Sequence, residues 1–232
     1  MIPISSWYPA LGQFSFPTLF VALTPMERNA LIQEETESES AKSAIARLQR
    51  CMRELPGSCF VSADVCAPTD SDYFRRSGRV SYALNAWRML AGSPKVSKAV
   101  QNNHTSCITV RPYRRMNPTR EFRMFFYKRE LKAMSQYHVE RHFHRLEGEE
   151  RTIWRWGQKF TTHVKPFLPG DNNIIDVYIS SEGRFFIIDL NPWGPPTNPL
   201  LLRSWDRNWD ETPGLKLKPK PVKMKGDVSV SF

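Results

Sequence analysis

Apolar residues recur along this chain with two periods, and the change from one to the other divides it. In the first half Ile45, Leu48, Met52 and Leu55 fall at the spacing of one helical face, which Pro56-Gly57 ends. Thr24, Pro25 and Glu27 have the spacing of a capping box that opens an earlier helix. Val80 to Ala91 predicts a helix stopped by Gly92, Ser93-Pro94 opens another, and Ser58 to Cys66 reads as a strand. From Cys107 onward the period is two: Cys107 to Tyr113, Phe122 to Tyr127 and Leu131 to Tyr137 are strand candidates. A helix with Ile153, Trp156, Phe160 and Val164 on one face leads to two β-branched runs, Ile174 to Ile179 and Arg184 to Leu190, joined as a hairpin by Ser-Glu-Gly. Residues 1–23, where Pro3, Pro9 and Pro17 interrupt an aromatic-rich run, read as a buried extended arm, and the acidic stretch Gln33 to Ser40 reads as a solvated linker. The pattern predicts an α+β chain: an arm and smaller α/β lobe over 1–105, a second lobe with an antiparallel sheet over 106–213, and a basic tail over 214–232.

The hairpin carries the chemistry. A two-residue turn at Glu182-Gly183 sets Ser181 against Arg184 and, in the same register, Asp176 against Asp189. Alternation sends Asn191 to the face of Asp189, and Ile175, Val177, Ile179, Phe186, Ile188 and Leu190 to a core. Opposed carboxylates about 5 Å apart repel, so a positive charge is required between them. Two readings follow. Asp176, Asp189 and Asn191 can hold Mg2+ as a hard, all-oxygen site that also takes substrate phosphates, or one Asp pairs with Arg or Lys while the other caps a turn.

At 232 residues, 41% of them hydrophobic, the chain can bury a sizeable core. A net charge of +10 directs it toward anionic partners. Part of that charge is the tail, where Lys216, Lys218, Lys220, Lys223 and Lys225 face only Asp227. Another part lies between Arg111 and Arg129. There Arg111 and Arg123 interrupt apolar strands and are candidate anion ligands, while Arg114, Arg115 and Arg120 belong to a solvated loop. Cys51, Cys59, Cys66 and Cys107 lack C-x-x-C spacing and read as free thiols of a reducing, cytoplasmic setting. The prolines of the first 23 residues argue against a membrane anchor. His138, His142 and His144 make a weak zinc pattern in which the first pair could share a helical face. No phosphate-loop, dinucleotide or nucleophile-elbow motif is present. The tryptophans and tyrosines would suit stacking on RNA bases, but most lie within apolar patterns that assign them to the core.

Several segments, in order along roughly residues 1–210, resemble the family of cell division cycle protein 123. They are Ser6-Trp7-Tyr8-Pro9; Ala67-Pro68-Thr69-Asp70; Val110-Arg111 followed by Pro118 and Glu121-Phe122-Arg123; Ser135-Gln136; Asp176-Val177-Tyr178; and Ile188 to Gly194 with Thr197-Asn198-Pro199-Leu200-Leu201. The resemblance implies a divergent ATP-grasp fold, two α/β lobes clasping a nucleotide, and a role in assembling translation initiation factor 2. It implies ATP and Mg2+ as ligands, with Asp176, Asp189 and Asn191 on the metal and Arg111 and Arg123 near the phosphates. Asp70 joins the nucleotide set, and the strand Arg111-Pro112-Tyr113 lies beside the adenine. The chain departs from the family pattern at Ser62, Pro112 and Tyr137, where basic residues are usual.

Three functions compete. The first is an ATP- and Mg2+-binding assembly factor, a chaperone-like protein of the cell-cycle and translation machinery that docks the γ subunit of translation initiation factor 2. The second is an ATP-grasp ligase that activates a protein or peptide carboxylate. The third is a nucleic-acid-binding protein driven by the basic patch and tail, which leaves Asp176 and Asp189 without a role.

Overall fold

The computed structural model describes residues 2–221. It opens on a helix, α1 (Ile4–Leu11), where an extended arm was expected. Proline removes a single intrahelical bond at Pro9, and the gain from burying Ile4, Trp7 and Leu11 on one face outweighs it. This helix packs in the core of the second lobe, and its start ties the two lobes together. Ile2 N–H donates to the Leu190 carbonyl, while Ile4 and Ser5 N–H donate to the Asp64 carbonyl and carboxylate.

The small lobe is an antiparallel sheet of β1 (Leu19–Ala22), β2 (Cys59–Ala63) and β3 (Cys107–Pro112), in the order β1-β3-β2. Two of its helices, those after Thr24 and Ser93, begin where the sequence placed their starts. α2 (Pro25–Ile32) has the full capping box of Thr24 and Glu27. Ser38 caps α3 (Glu39–Arg53), so the helix starts inside the expected linker. α4 (Asp72–Arg76) is capped by Ser71, α5 (Ala83–Ala91) ends at Gly92, and Ser93 caps α6 (Pro94–Gln101). Leu48, Met52, Trp87 and Leu90 fill the core beneath the sheet. Because β3 belongs here, the division between lobes falls after β3 and not at residue 106.

The second sheet contains β4 (Glu121–Tyr127), β5 (Glu130–Gln136), β6 (Asn173–Ile179), β7 (Phe185–Asn191) and β8 (Gly214–Lys216), in the order β7-β6-β4-β5-β8. It is antiparallel except for the β5–β8 pair. The expected tail therefore starts as a strand, and Lys223, Lys225 and Asp227 lie outside the described residues. On one face packs α7 (Glu150–Val164), which buries Ile153, Gly157, Phe160 and Val164. Trp156 was expected on that face but is 36% exposed and lies against the turn at Gly183. The other face is covered by Leu202 and Trp209, with Trp193 and Trp205 packed on Phe125, Ala133 and Ile174. The four cysteines are free. Among the described residues no helix is long and apolar enough to cross a membrane.

The β6–β7 hairpin reaches the expected alignment by a different route. Its turn has three residues, with Ser180 N–H donating to Arg184 O and Gly183 at φ 74°, a left-handed conformation that favours glycine. That extra residue shifts Ile179 opposite Phe185 and Val177 opposite Ile187. A β-bulge at Ile188 then restores the register, so Asp176 faces Asp189 and Ile174 faces Asn191. The core face of β7 is consequently Phe185, Ile187 and Leu190, while Phe186 and Ile188 turn away from it, Phe186 to stack on Phe16. Ile187→Ala is expected to cost about 2–5 kcal/mol in a urea titration and Ile188→Ala clearly less. Equal costs would mean that the bulge is misplaced.

Candidate functional site

The two arginines singled out by the strand pattern both reach the hairpin. Arg123 projects from β4, whose register sets it directly opposite Asp176. Its Nε and Nη2 donate to Asp176 Oδ1 and Oδ2 at 2.7 and 2.8 Å, a bidentate pair with both side chains about 94% buried. Its Nη1 donates to the Asn198 carbonyl at 2.7 Å. Asn191 Nδ2 donates to Asp176 Oδ2 at 2.8 Å. Asp176 is therefore held through both oxygens by a guanidinium and an amide, the kind of pairing the second reading of the hairpin gave to one of its carboxylates. All three nitrogens of the Arg123 guanidinium thus have protein acceptors, on Asp176 and Asn198. Despite burial, the Asp176 carboxylate keeps the pKa of Arg123 above its ordinary value.

Arg111 crosses from the small lobe. Its Nε donates to Thr18 Oγ1 at 3.0 Å and its Nη1 to the carbonyl of Ile188, the bulge residue, at 3.1 Å. Its Nη2 is buried without a partner among the described residues. Burial lowers the Arg111 pKa, and Asp189 opposes that shift. Asp189 accepts no hydrogen bond among the described residues, and its carboxyl is pushed up to about 6. Burial is the main cause, Arg111 counteracts it, and the charge of Asp176 adds to it. Asp189 thus carries an under-compensated charge beside a guanidinium with an unused donor.

These features fit a hard cation accompanied by an anion. Asp189 and the Asn191 Oδ1 atom are oxygen donors without protein partners among the described residues, and Asp176 stands behind them. Beside them a cavity of about 330 Å3 is lined by Arg123, Tyr137, Asn191, Thr197, Asn198 and Leu200. Tyr137, where the family pattern expects a base, instead lays its ring 5.4 Å from the Arg123 guanidinium carbon. Glu121 lies nearby. Burial raises its carboxyl, His138 opposes this, and the charge of Asp176 adds to it.

The remaining expected residues do not converge on the hairpin. Asp70 caps α6, accepting from the Ser93 hydroxyl and from Lys95 N–H at 2.9 Å. Burial would raise its carboxyl, but those two donors outweigh burial and hold it low. Pro112 pairs with Cys59 at the end of β3, and Tyr113 N–H donates to Ser58 O. Ser62 is buried with its hydroxyl against Thr109 Oγ1 at 2.7 Å, a neutral contact at the position of a family lysine. Sequence reasoning missed the roles of Thr18 and Asn198. Asn198 was visible as part of a motif, but its backbone carbonyl, not its side chain, does the work.

Two α+β lobes joined across an arginine-gripped acidic hairpin define the class, and comparison with known proteins agrees. The model of the D123 family matches residues 25–216, and the chain belongs to that family. The fold is that of Cdc123 from Schizosaccharomyces pombe, with a TM-score of 0.81, 20% identity, and 94% of this chain and 96% of that one covered. A translation initiation factor eIF2 assembly protein of Xenopus tropicalis is 29% identical over 107 residues, 44% of this chain and 32% of its own length. A putative CDC123-like protein of Acanthamoeba polyphaga mimivirus is 22% identical over 243 residues, 94% of this chain and 75% of its own. The matched segment spans about a third or less of the first of the curated assembly proteins.

Proposed function

We propose that this chain is a cytoplasmic assembly factor for translation initiation factor 2, in which ATP with Mg2+ sits between the lobes and the braced lobes dock the γ subunit. The observation that carries the nucleotide half is Asp189, a carboxylate short of counter-charge beside the Arg111 guanidinium. Asp189 and Asn191 are the residues that would hold the metal, with Asp176 fixed behind them by Arg123. Mg2+, when bound, would neutralise phosphate charge. The ATP-grasp reading, and the placing of Pro112 and Tyr113 beside the adenine, rest on the family resemblance. The assembly half is supported by the names of the relatives. Ser62 favours a brace over phosphoryl transfer, because it withholds the charge-assisted contact that a lysine would make there.

The test is capture of purified γ subunit by the immobilised chain, with ATP and Mg2+ together, with each alone, and with neither. Capture is expected with both and lost without either. Absence of capture under all four conditions would remove the assembly reading.

A further inference from the structure

We infer that His142, His144 and Glu147 form a zinc site, separate from the carboxylate hairpin. Their arrangement follows from local backbone. Phe143 is extended (φ −116°, ψ 109°), so His142 and His144 fall on one side of it, as alternate residues of a strand do. His144–Leu146 is then a 3-10 turn, in which side chains three apart eclipse, and this stacks Glu147 beside His144. Leu146 is buried in the second-lobe core with Phe143 packed against it, so the hydrophobic residues of the segment point inward, while His144 and Glu147 are exposed and His142 lies half-buried beneath them.

His142 Nε2 lies 3.1 Å and His144 Nδ1 2.9 Å from the same Glu147 oxygen, Oε1. The three donor atoms all fall within 4.8 Å of one another. Bonds of about 2.0–2.1 Å to tetrahedral zinc place its ligand atoms roughly 3.3 Å apart. The trio therefore needs only small side-chain adjustments to surround an ion. Two imidazoles and a carboxylate are a borderline donor set, suited to Zn2+ and not to the Mg2+ expected at an all-oxygen site. Three protein ligands leave a fourth position for water. Next to it is a hollow of about 350 Å3 bounded by Glu150 and the segment Leu215 to Lys220. Lys220, close enough to help lower the Glu147 carboxyl behind the larger effect of its His144 hydrogen bond, works against a cation, while Glu150 brings a negative charge to the same hollow. The pairing differs from the one suggested by the histidine spacing. The segment holding His138 is not helical, and His138 turns to Glu121.

The experiment is calorimetric titration of Zn2+ into the full chain with millimolar Mg2+ present, which competes at hard-oxygen sites. Co2+ provides a second readout through its tetrahedral absorption bands. One equivalent of Zn2+ is expected to bind. His144→Ala and Glu147→Gln should each weaken this binding by more than the roughly 10–100-fold that follows loss of an outer-shell partner. Both side chains are well exposed, and metal-free melting curves matching the unsubstituted chain confirm that the variants fold. No uptake by the unsubstituted chain, or uptake unchanged in both variants, overturns the site and leaves a hydrogen-bonded surface cluster.

Discussion

Asp189→Asn is expected to stabilise the ligand-free protein above pH 6 while weakening its binding of ATP with Mg2+. The Asp189 carboxyl is raised to about 6 in the folded protein, above its value in the unfolded chain. Between about pH 4 and 6 the folded state therefore holds the extra proton, and stability falls as pH rises through that window. Two pKa units correspond to on the order of 2–3 kcal/mol once both states are ionised. The amide removes this cost. At pH 7.5 the melting temperature should rise by roughly 5–10 °C, and the decline between pH 4 and 6 should flatten. Calorimetric titration with ATP and Mg2+ should show the opposite for binding, because one metal oxygen and its charge are gone. A variant that melts no higher than the parent at pH 7.5, or that binds ATP with Mg2+ equally well, would contradict the assignment of Asp189.

Arg123→Leu is expected to be among the most damaging single changes. It leaves Asp176 buried with its ion partner removed, and breaking a buried pair from one side costs about 3–5 kcal/mol. The Asn198 carbonyl loses its donor as well. Replacing both members, Arg123→Leu with Asp176→Leu, should recover most of that loss, because no uncompensated charge remains. Urea titrations of the two single variants and the double variant measure the coupling. A loss below about 1 kcal/mol in Arg123→Leu would mean that water reaches the pair, as at exposed salt bridges.

Much of this was legible in the sequence because it depended on local chemistry. Thr24 and Ser93 cap helices through their own side chains, each just ahead of a proline, whereas the caps at Ser38 and Ser71 went unread. The opposition of Asp176 and Asp189 was also legible, although two deviations that cancel, a longer turn and a bulge, lay behind it. Simple alternation therefore gave the right acidic pair and the wrong core residues at Phe186 and Ile188. What sequence could not supply was the choice between a cation and a guanidinium as the neutralising charge. Arg123 meets Asp176 only because β4 pairs with β6, a contact between strands 53 residues apart. The helical α1 was hidden because three prolines counted as breakers, whereas burial against a distant sheet decided the outcome. The partners of Asp70 were hidden for the same reason: Ser93 and Lys95 belong to the start of another helix.

The irregularity at Ile188 gears one lobe to the other. Arg111 grips the carbonyl of the residue immediately before Asp189, while Ser15 Oγ donates to the carbonyl of Ile187 at 2.7 Å. Any rotation of the small lobe must either release Arg111 or tilt the peptide plane that carries Asp189. The angle between the lobes and the aim of that carboxylate are thus mechanically one variable, as in a lever whose short arm is a single peptide.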